Sequence, residues 1–276
     1  MLCTPVSDQS IAIPSVEQVG GWQFWRFERL ESTSKTAKEL LAAGKLALPA
    51  IVYAKSQTAG YGRRGRAWQH RPGNLAITYV LKDRPSPIAS GAISMMMGLA
   101  VLDGLKNLGI DEKRLALKWP NDVLLDDKKC AGILVESVSF LAPPDVQQMA
   151  LVIGIGVNIV GDGLQQQEGG LPIGALADAT SRSLSPAIVS AHLTDALTDW
   201  WAQWNSGGLS ADQLQQLWLS RAWKLGHPVM VLASQASIYR GVFTGVSADG
   251  CLRLQLDDGT VQTFSSGEVS VRAEEG

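Results

Sequence analysis

Residues 151 to 159 read Leu-Val-Ile-Gly-Ile-Gly-Val-Asn-Ile, and this alternation narrows what the chain can fold into. Side chains of a strand point to opposite faces in turn, so Ile153, Ile155 and Val157 share one face while Gly154, Gly156 and Asn158 share the other. The apolar face requires a sheet packed on a core. The opposite face is bare except for one amide, and glycine within a strand marks close approach by a ligand or another backbone. The Asn158 amide offers a paired donor and acceptor to something flat, such as a base. The spacing is not the Gly-x-Gly-x-x-Gly fingerprint of dinucleotide-binding folds.

A second stretch carries the charge. Gly60-Tyr61-Gly62-Arg63-Arg64-Gly65-Arg66, followed by Trp68, packs three glycines and three arginines into seven residues. Guanidinium forks bind phosphate or carboxylate bidentately and keep their charge, and the glycines allow close backbone approach. The flanking runs, Pro49 to Ala54 continuing to Gln57, and Leu75 to Leu81, read as strands, which makes this a loop between them. The formal net charge of the 276-residue chain is only -2, so the arginines form a local site in a near-neutral field. That favours a small polyanion over a nucleic acid, although a nucleic-acid-binding module is the competing reading from another class.

The third stretch is Lys118-Trp119-Pro120-Asn121-Asp122 with its continuation Lys129-Cys130-Ala131-Gly132-Ile133-Leu134. Strand-like runs from Leu115 to Trp119, Val123 to Leu125 and Lys129 to Val138, with a turn at Asp126-Asp127-Lys128, predict a β-hairpin. Counting by two places Lys129 on the face of Ala131, Ile133 and Val135. An amine at the end of that apolar face needs an anionic or carbonyl partner.

The remaining chain organises around these stretches. Residues 1–20 show neither periodicity and read as a lead-in. Trp22, Phe24 and Phe27 suggest a first strand, after which Ser32, Thr33 and Ser34 supply hydroxyls that can cap a helix running through Leu40 and Leu41 to Gly44. A long helix is expected from Pro87 through Met95, Met96 and Met97 to Gly109, its methionines in the core. Gly161 to Gly174 predicts a second mobile loop. Helices over Pro186 to Trp204 and Ala211 to Ala222 bring tryptophans, including Trp218 and Trp223, to the core. From Pro228 onward five short strands predict a small barrel. A catalytic domain over 21–225 and a C-terminal domain over 226–276 follow.

Three dispersed cysteines without Cys-x-x-Cys spacing suit a reducing, cytoplasmic setting, with Cys130 as a small core residue. No run is long enough for a membrane span. His70, His192 and His227 are isolated, and neither a phosphate-binding Gly-x-x-x-x-Gly-Lys-Ser/Thr run nor a nucleophile elbow occurs.

Taken in order and spacing, the arginine loop with Trp68, the Lys118 to Asp122 segment, Lys129 to Glu136 and Gly154 to Asn158 resemble biotin protein ligases, and the tail Gly267 to Arg272 looks like the end of that family's C-terminal domain. The resemblance covers nearly the whole chain from about Trp22. It implies an α+β fold: a mixed-sheet catalytic domain similar to class II aminoacyl-tRNA synthetases, then an SH3-like barrel. It implies that biotin and MgATP form biotinyl-5'-AMP, and that a lysine of the biotin carboxyl carrier protein of acetyl-CoA carboxylase then takes the biotinyl group. Carried over by position, biotin would contact Ser32, Thr33, Ser34, Gln57, Tyr61, Gly62, Arg63, Lys129 and Gly132. The nucleotide would meet Arg63, Arg66, Trp68, Lys118, Asn121 and Asn158, Asp122 would stand on the Mg²⁺ side, and Lys129, Arg63, Lys118 and Arg66 would carry the catalysis.

ATP, Mg²⁺ and biotin are expected as substrates, with no tightly bound prosthetic group, in a monomer or homodimer. The chain departs from the family at Ser34, where asparagine is common, at Tyr61, where a basic residue is common, and in the absence of tryptophan from Gly161 to Gly174. Fewer than about thirty residues precede the domain, too few for the helix-turn-helix repressor of some members, so specific DNA binding is not expected, and the interrupted apolar runs give no expectation of membrane binding. Within the fold the rival is a lipoate or octanoate ligase or transferase.

Overall fold

The computed structural model describes residues 14–83, 90–142, 146–165, 171–232, 237–265 and 270–273. The chain opens with strands β1 (Ser15–Val19) and β2 (Trp22–Leu30), helix α1 (Thr33–Ala42), and strands β3 (Ala50–Gln57) and β4 (Leu75–Lys82). Helix α2 (Ser90–Asn107) leads to β5 (Leu115–Lys118), β6 (Asp122–Leu125), β7 (Lys128–Ala142) and β8 (Val146–Val157). Helices α3 (Pro186–Asn205) and α4 (Ala211–Leu219) follow, then five short strands, β9 (Pro228–Leu232), β10 (Ile238–Val246), β11 (Leu252–Gln255), β12 (Val261–Phe264) and β13 (Ser270–Ala273).

The first eight strands form one mixed sheet in the order β1-β2-β3-β4-β8-β7-β6-β5, in which β2 and β3 run parallel and the other neighbours antiparallel. The last five form an all-antiparallel sheet in the order β12-β11-β10-β9-β13. The architecture is α+β, as the resemblance implied.

Strand alternation sorts the core into two layers. Ile51, Ile77, Tyr79, Ile133, Ile153 and Ile155 face α2 and α3, where Met95, Met96 and Met97 are buried as expected, together with Trp218 and the inner residues of the C-terminal sheet. Phe27, Val52, Ala54, Val80 and Val152 face α1 through Ala37 and Leu41. Beyond that second layer the same sheet face turns polar or bare at Thr78, Gly154 and Gly156, and the cavity described below opens there.

Three expectations need correction. The lead-in is not featureless, because β1 pairs with β2 through a two-residue Gly20-Gly21 turn in which both residues have positive φ. That is the geometry of the tight hairpin turns that follow strand twist. The side chains of β1 are all exposed, so the ladder rather than burial defines the strand. The helix expected to end at Ala222 stops at Leu219, and the backbone of Arg221 and Trp223 instead pairs with Leu117. Finally, the pairing of β6 with β7 slips by one residue, from Val123↔Ala131 to Leu124↔Lys129. This bulge moves Lys129 off the face of Ala131 and Ile133 and onto that of Gly132. Pro87, residues 166–170 of the second loop and Gly267 to Val269 lie outside the described residues.

Candidate active site

The parallel pair positions the first part of the site. Leu30 and Gln57 are register partners at the ends of β2 and β3, and α1 starts directly after β2, so the helix N-terminus stands beside Gln57. Ser32 caps α1 by accepting from the Lys35 amide at 3.4 Å. Gln57 Oε1 accepts from both the Thr33 amide at 3.0 Å and the Thr33 hydroxyl at 3.3 Å.

Proton counting then orients the rest. The Thr33 hydroxyl proton goes to Gln57, and Thr78 donates to Thr33 at 2.9 Å. In the 3.1 Å contact between Ser34 and Thr78, Ser34 must therefore be the donor. The chain Ser34→Thr78→Thr33→Gln57 leaves Ser34 Oγ as an acceptor and the Gln57 amide nitrogen as a donor. This set suits a planar urea-like head. Thr78 is fully buried and was not singled out from sequence, although it is the one aliphatic hydroxyl in β4.

The floor is the glycine face. A Cβ at Gly156 would collide with the Trp68 indole, one at Gly132 would meet that ring at 2.9 Å, and one at Gly154 would lie 2.5 Å from Ser34 Oγ. The bare strand face predicted from the alternation is thus where the Trp68 ring and α1 approach. The Lys129 ammonium stands 5.4 Å from the Trp68 ring centroid. Sequence reading grouped Trp68 with the nucleotide, and the structure sets its ring on this floor beside Lys129.

Lys129 is fixed through its backbone. Its amide donates to Pro172 O at 2.8 Å, and its carbonyl accepts from the Gly174 amide at 2.9 Å and from Asn158 Nδ2 at 3.3 Å. Its Nζ lies 2.7 Å from Asp122 Oδ1, while Lys118 reaches the other oxygen of the same carboxylate at 3.8 Å. Burial alone would raise the Asp122 pKa, but Lys129, Lys118 and Arg63 outweigh it and hold the carboxyl below its usual range. Burial pulls Lys118 below the usual lysine value; Lys129, Arg272 and Arg63 add to that, against the pull of Asp122.

Arg63 donates through Nη1 to Asn121 Oδ1 at 3.3 Å, and Asn121 Nδ2 in turn donates to Ile133 O at 2.7 Å. Both ends of the Asn121 amide are therefore engaged within the protein, and it acts to aim Arg63. Arg63 Nη2 is buried without a hydrogen-bond partner, and burial followed by the charges of Arg66 and Arg64 pushes its pKa down to about 10 despite Asp122. A buried, unsatisfied guanidinium face is a site prepared for an anion.

All fifteen residues singled out from sequence, including Gly62 and Arg66, line one cavity of about 930 Å³. Asp122 is the sole carboxylate among its described lining residues, which also include Arg63, Arg64, Arg66, Lys118, Lys129, Arg240 and Arg272. Arg240, Met230 and Arg272 form one cross-strand row of β10, β9 and β13. Sequence reading gave the C-terminal sheet no place in the site, because nothing local in a short strand tells which distant surface it faces. Tyr61 directs its hydroxyl to Glu136 at 3.3 Å, where Lys38 also binds at 2.9 Å.

The two loops are joined. Gln69 and Gln165 exchange bonds between side chain and backbone at 3.1 and 3.0 Å, and Arg71 donates to Gly163 O at 2.7 Å. Asn74 holds the start of the second loop by accepting from the Ile159 and Val160 amides, each at 2.8 Å. No group of three or more metal-ligating side chains occurs among the described residues, and no described helix is long and apolar enough to cross a membrane.

The sequence matches the family model described as Biotin/lipoate A/B protein ligase family over residues 26–158, and the Biotin protein ligase C terminal domain over residues 224–272. It is 37% identical to a biotin--[acetyl-CoA-carboxylase] ligase of Paracoccus denitrificans, over 82% of this chain and 92% of that protein. It is 30% identical to the bifunctional ligase/repressor BirA of Escherichia coli, over 80% of this chain and 66% of that one. The biotin protein ligase of Aquifex aeolicus, solved in complex with biotin and ATP, superimposes with a TM-score of 0.74 at 23% identity, covering 91% of this chain and 99% of that chain, a likeness of fold. With both family models matched in order, and a relative aligned over nearly its full length, the chain belongs to the biotin/lipoate A/B protein ligase family.

Proposed function

We propose that this protein is an ATP-dependent ligase that activates biotin as biotinyl-5'-AMP and passes the biotinyl group to a lysine of a biotin carboxyl carrier protein of acetyl-CoA carboxylase. The observation that carries this reading is the polarity of the cavity. One part offers the acceptor Ser34 and the donor amide of Gln57 to a urea ring, and another sets Lys129, Lys118 and Arg63 against Asp122, in a cavity whose lining also carries Arg64, Arg66, Arg240 and Arg272.

The chemistry requires that asymmetry. A carboxylate brought to about 4 Å from an α-phosphate oxygen is repelled by on the order of 4 kcal/mol at an effective dielectric of ~20. Lys129, held at its backbone on both sides, offers its ammonium to the biotin carboxylate and then to the acyl oxygen as charge develops. Arg63 presents its unpartnered Nη2 to the phosphate being attacked. Lys118 and Arg66 neutralise the departing pyrophosphate.

Mg²⁺ enters with ATP as part of the substrate, and Asp122 fits the pattern of a magnesium ion held by one protein carboxylate and phosphate oxygens. In the second half-reaction the carrier amine attacks the acyl carbon and AMP leaves with the C–O bond electrons. Joined loops that exclude water would protect the acyl-adenylate from hydrolysis. Cys130 is a buried free thiol and Cys251 a half-buried one, which suits a cytoplasmic enzyme.

The test is exchange of labelled pyrophosphate into ATP by the purified protein without carrier, with biotin, lipoic acid and octanoic acid in parallel. Exchange with biotin alone is expected. Exchange driven by an aliphatic acid and not by biotin overturns the reading.

A further inference from the structure

Trp119 lies between Lys118 and Asp122 in sequence yet does not line the cavity. Its side chain is buried on the other side of the hairpin turn, where Nε1 donates to the carbonyl of Gly250 at 2.9 Å, 131 residues away. Gly250 belongs to the turn between β10 and β11, which is braced by Ser247 N to Cys251 O and Gly250 N to Ser247 O, each 2.8 Å.

That turn sits directly on the first turn of α2. A Cβ at Gly91 would collide with the Asp249 carbonyl, and one at Gly250, whose φ is +86°, would lie 2.5 Å from the Gly91 carbonyl carbon. Only two glycines back to back permit the approach. Helix α2 also holds the residue after Trp119, since Ser94 donates to Pro120 O at 2.9 Å.

We propose that Trp119 is a positioning residue through which the Asp249-Gly250 turn of the C-terminal sheet sets Lys118 and Asp122 against the nucleotide phosphates. This rests on the ligase reading above. The C-terminal sheet then serves adenylate formation through a contact remote from any ligand, in addition to the residues it lends to the cavity wall. The urea end of the biotin site is built on α1, Gln57 and Thr78, none of which hydrogen-bonds to Trp119, and Asp122 touches the biotin site only through Lys129, so the effect should fall more heavily on ATP than on biotin.

The full chain and its Trp119→Phe and Gly91→Ala variants are compared in two measurements: ATP binding by titration calorimetry, and the kinetics of biotin-dependent pyrophosphate exchange. Trp119→Phe keeps a ring in the core and removes the donor, and Gly91→Ala leaves Trp119 intact while displacing its acceptor. Both should weaken ATP binding about tenfold, with the KM for biotin held within about twofold. Unchanged ATP affinity in both variants overturns the proposal, as does a parallel rise of the ATP and biotin constants. A parent chain that binds ATP but does not exchange with biotin overturns the substrate reading instead, and the ATP titrations still decide the role of Trp119. A parent chain that binds no ATP overturns both.

Discussion

Lys129 Nζ and Asp122 Oδ1 stand 2.7 Å apart on adjacent strands, so the amine proposed to guide the biotin carboxylate is held by another carboxylate when the cavity is empty. Substrate must exchange for that partner. Lys129→Ala should lower pyrophosphate exchange by roughly 10²- to 10³-fold. Near-normal exchange in that variant would remove Lys129 from the chemistry.

Asp122 links the same pair to stability. Its folded pKa lies below the usual carboxylate value, so its contribution is complete above that value and is lost as pH falls through the lowered one. Asp122→Asn should cost about 3 kcal/mol at neutral pH, because two lysines lose their shared counter-charge. The variant should also lose less stability than the parent on acidification below about pH 4. Urea denaturation across pH checks both statements.

Lys118 is held below the ordinary lysine pKa by burial and neighbouring cations. If its charge neutralises pyrophosphate, exchange should fall on an alkaline limb centred below about pH 10.4. Lys118→Arg should move that limb upward while retaining activity. A limb that stays in place assigns it to another group.

Thr78→Val removes the middle of the hydroxyl chain at nearly constant volume. Ser34 then no longer has to spend its proton there, and the bond that fixes it as an acceptor is lost. The KM for biotin should rise about threefold to tenfold, as expected for one hydrogen bond, with the KM for ATP unchanged.

Gly156→Ala places a methyl group where the Trp68 ring lies. Displacing the ring should cost about 1–3 kcal/mol of stability and reduce biotin affinity, whereas Gly207→Ala, away from the cavity, should leave affinity intact. Tryptophan fluorescence on biotin titration reports the difference.

Much of this arrangement could be read before folding. The glycine face of Leu151 to Ile159, the arginine loop and the Lys118 hairpin each carry their constraint in adjacent residues, and the chain brings all three to one cavity. What escaped depends on pairing or on distance. The Gly20-Gly21 hairpin was present as a turn signal, but the exposed side chains of β1 gave no apolar pattern to support it. Thr78 sits among apolar neighbours and gains meaning only from Ser34 and Thr33 across space. Arg240 and the Trp119 to Gly250 bond join segments more than a hundred residues apart, and no local periodicity encodes that.

The slip at Cys130 has the broadest consequence. Strict alternation would tie the lysine to the orientation of the aliphatic residues that follow it, so any change of chemistry would disturb packing. One additional residue uncouples the two. Straightening the bulge with every residue kept should turn the amine into the hydrocarbon interior without altering a single reactive group, a defect of phase rather than of composition.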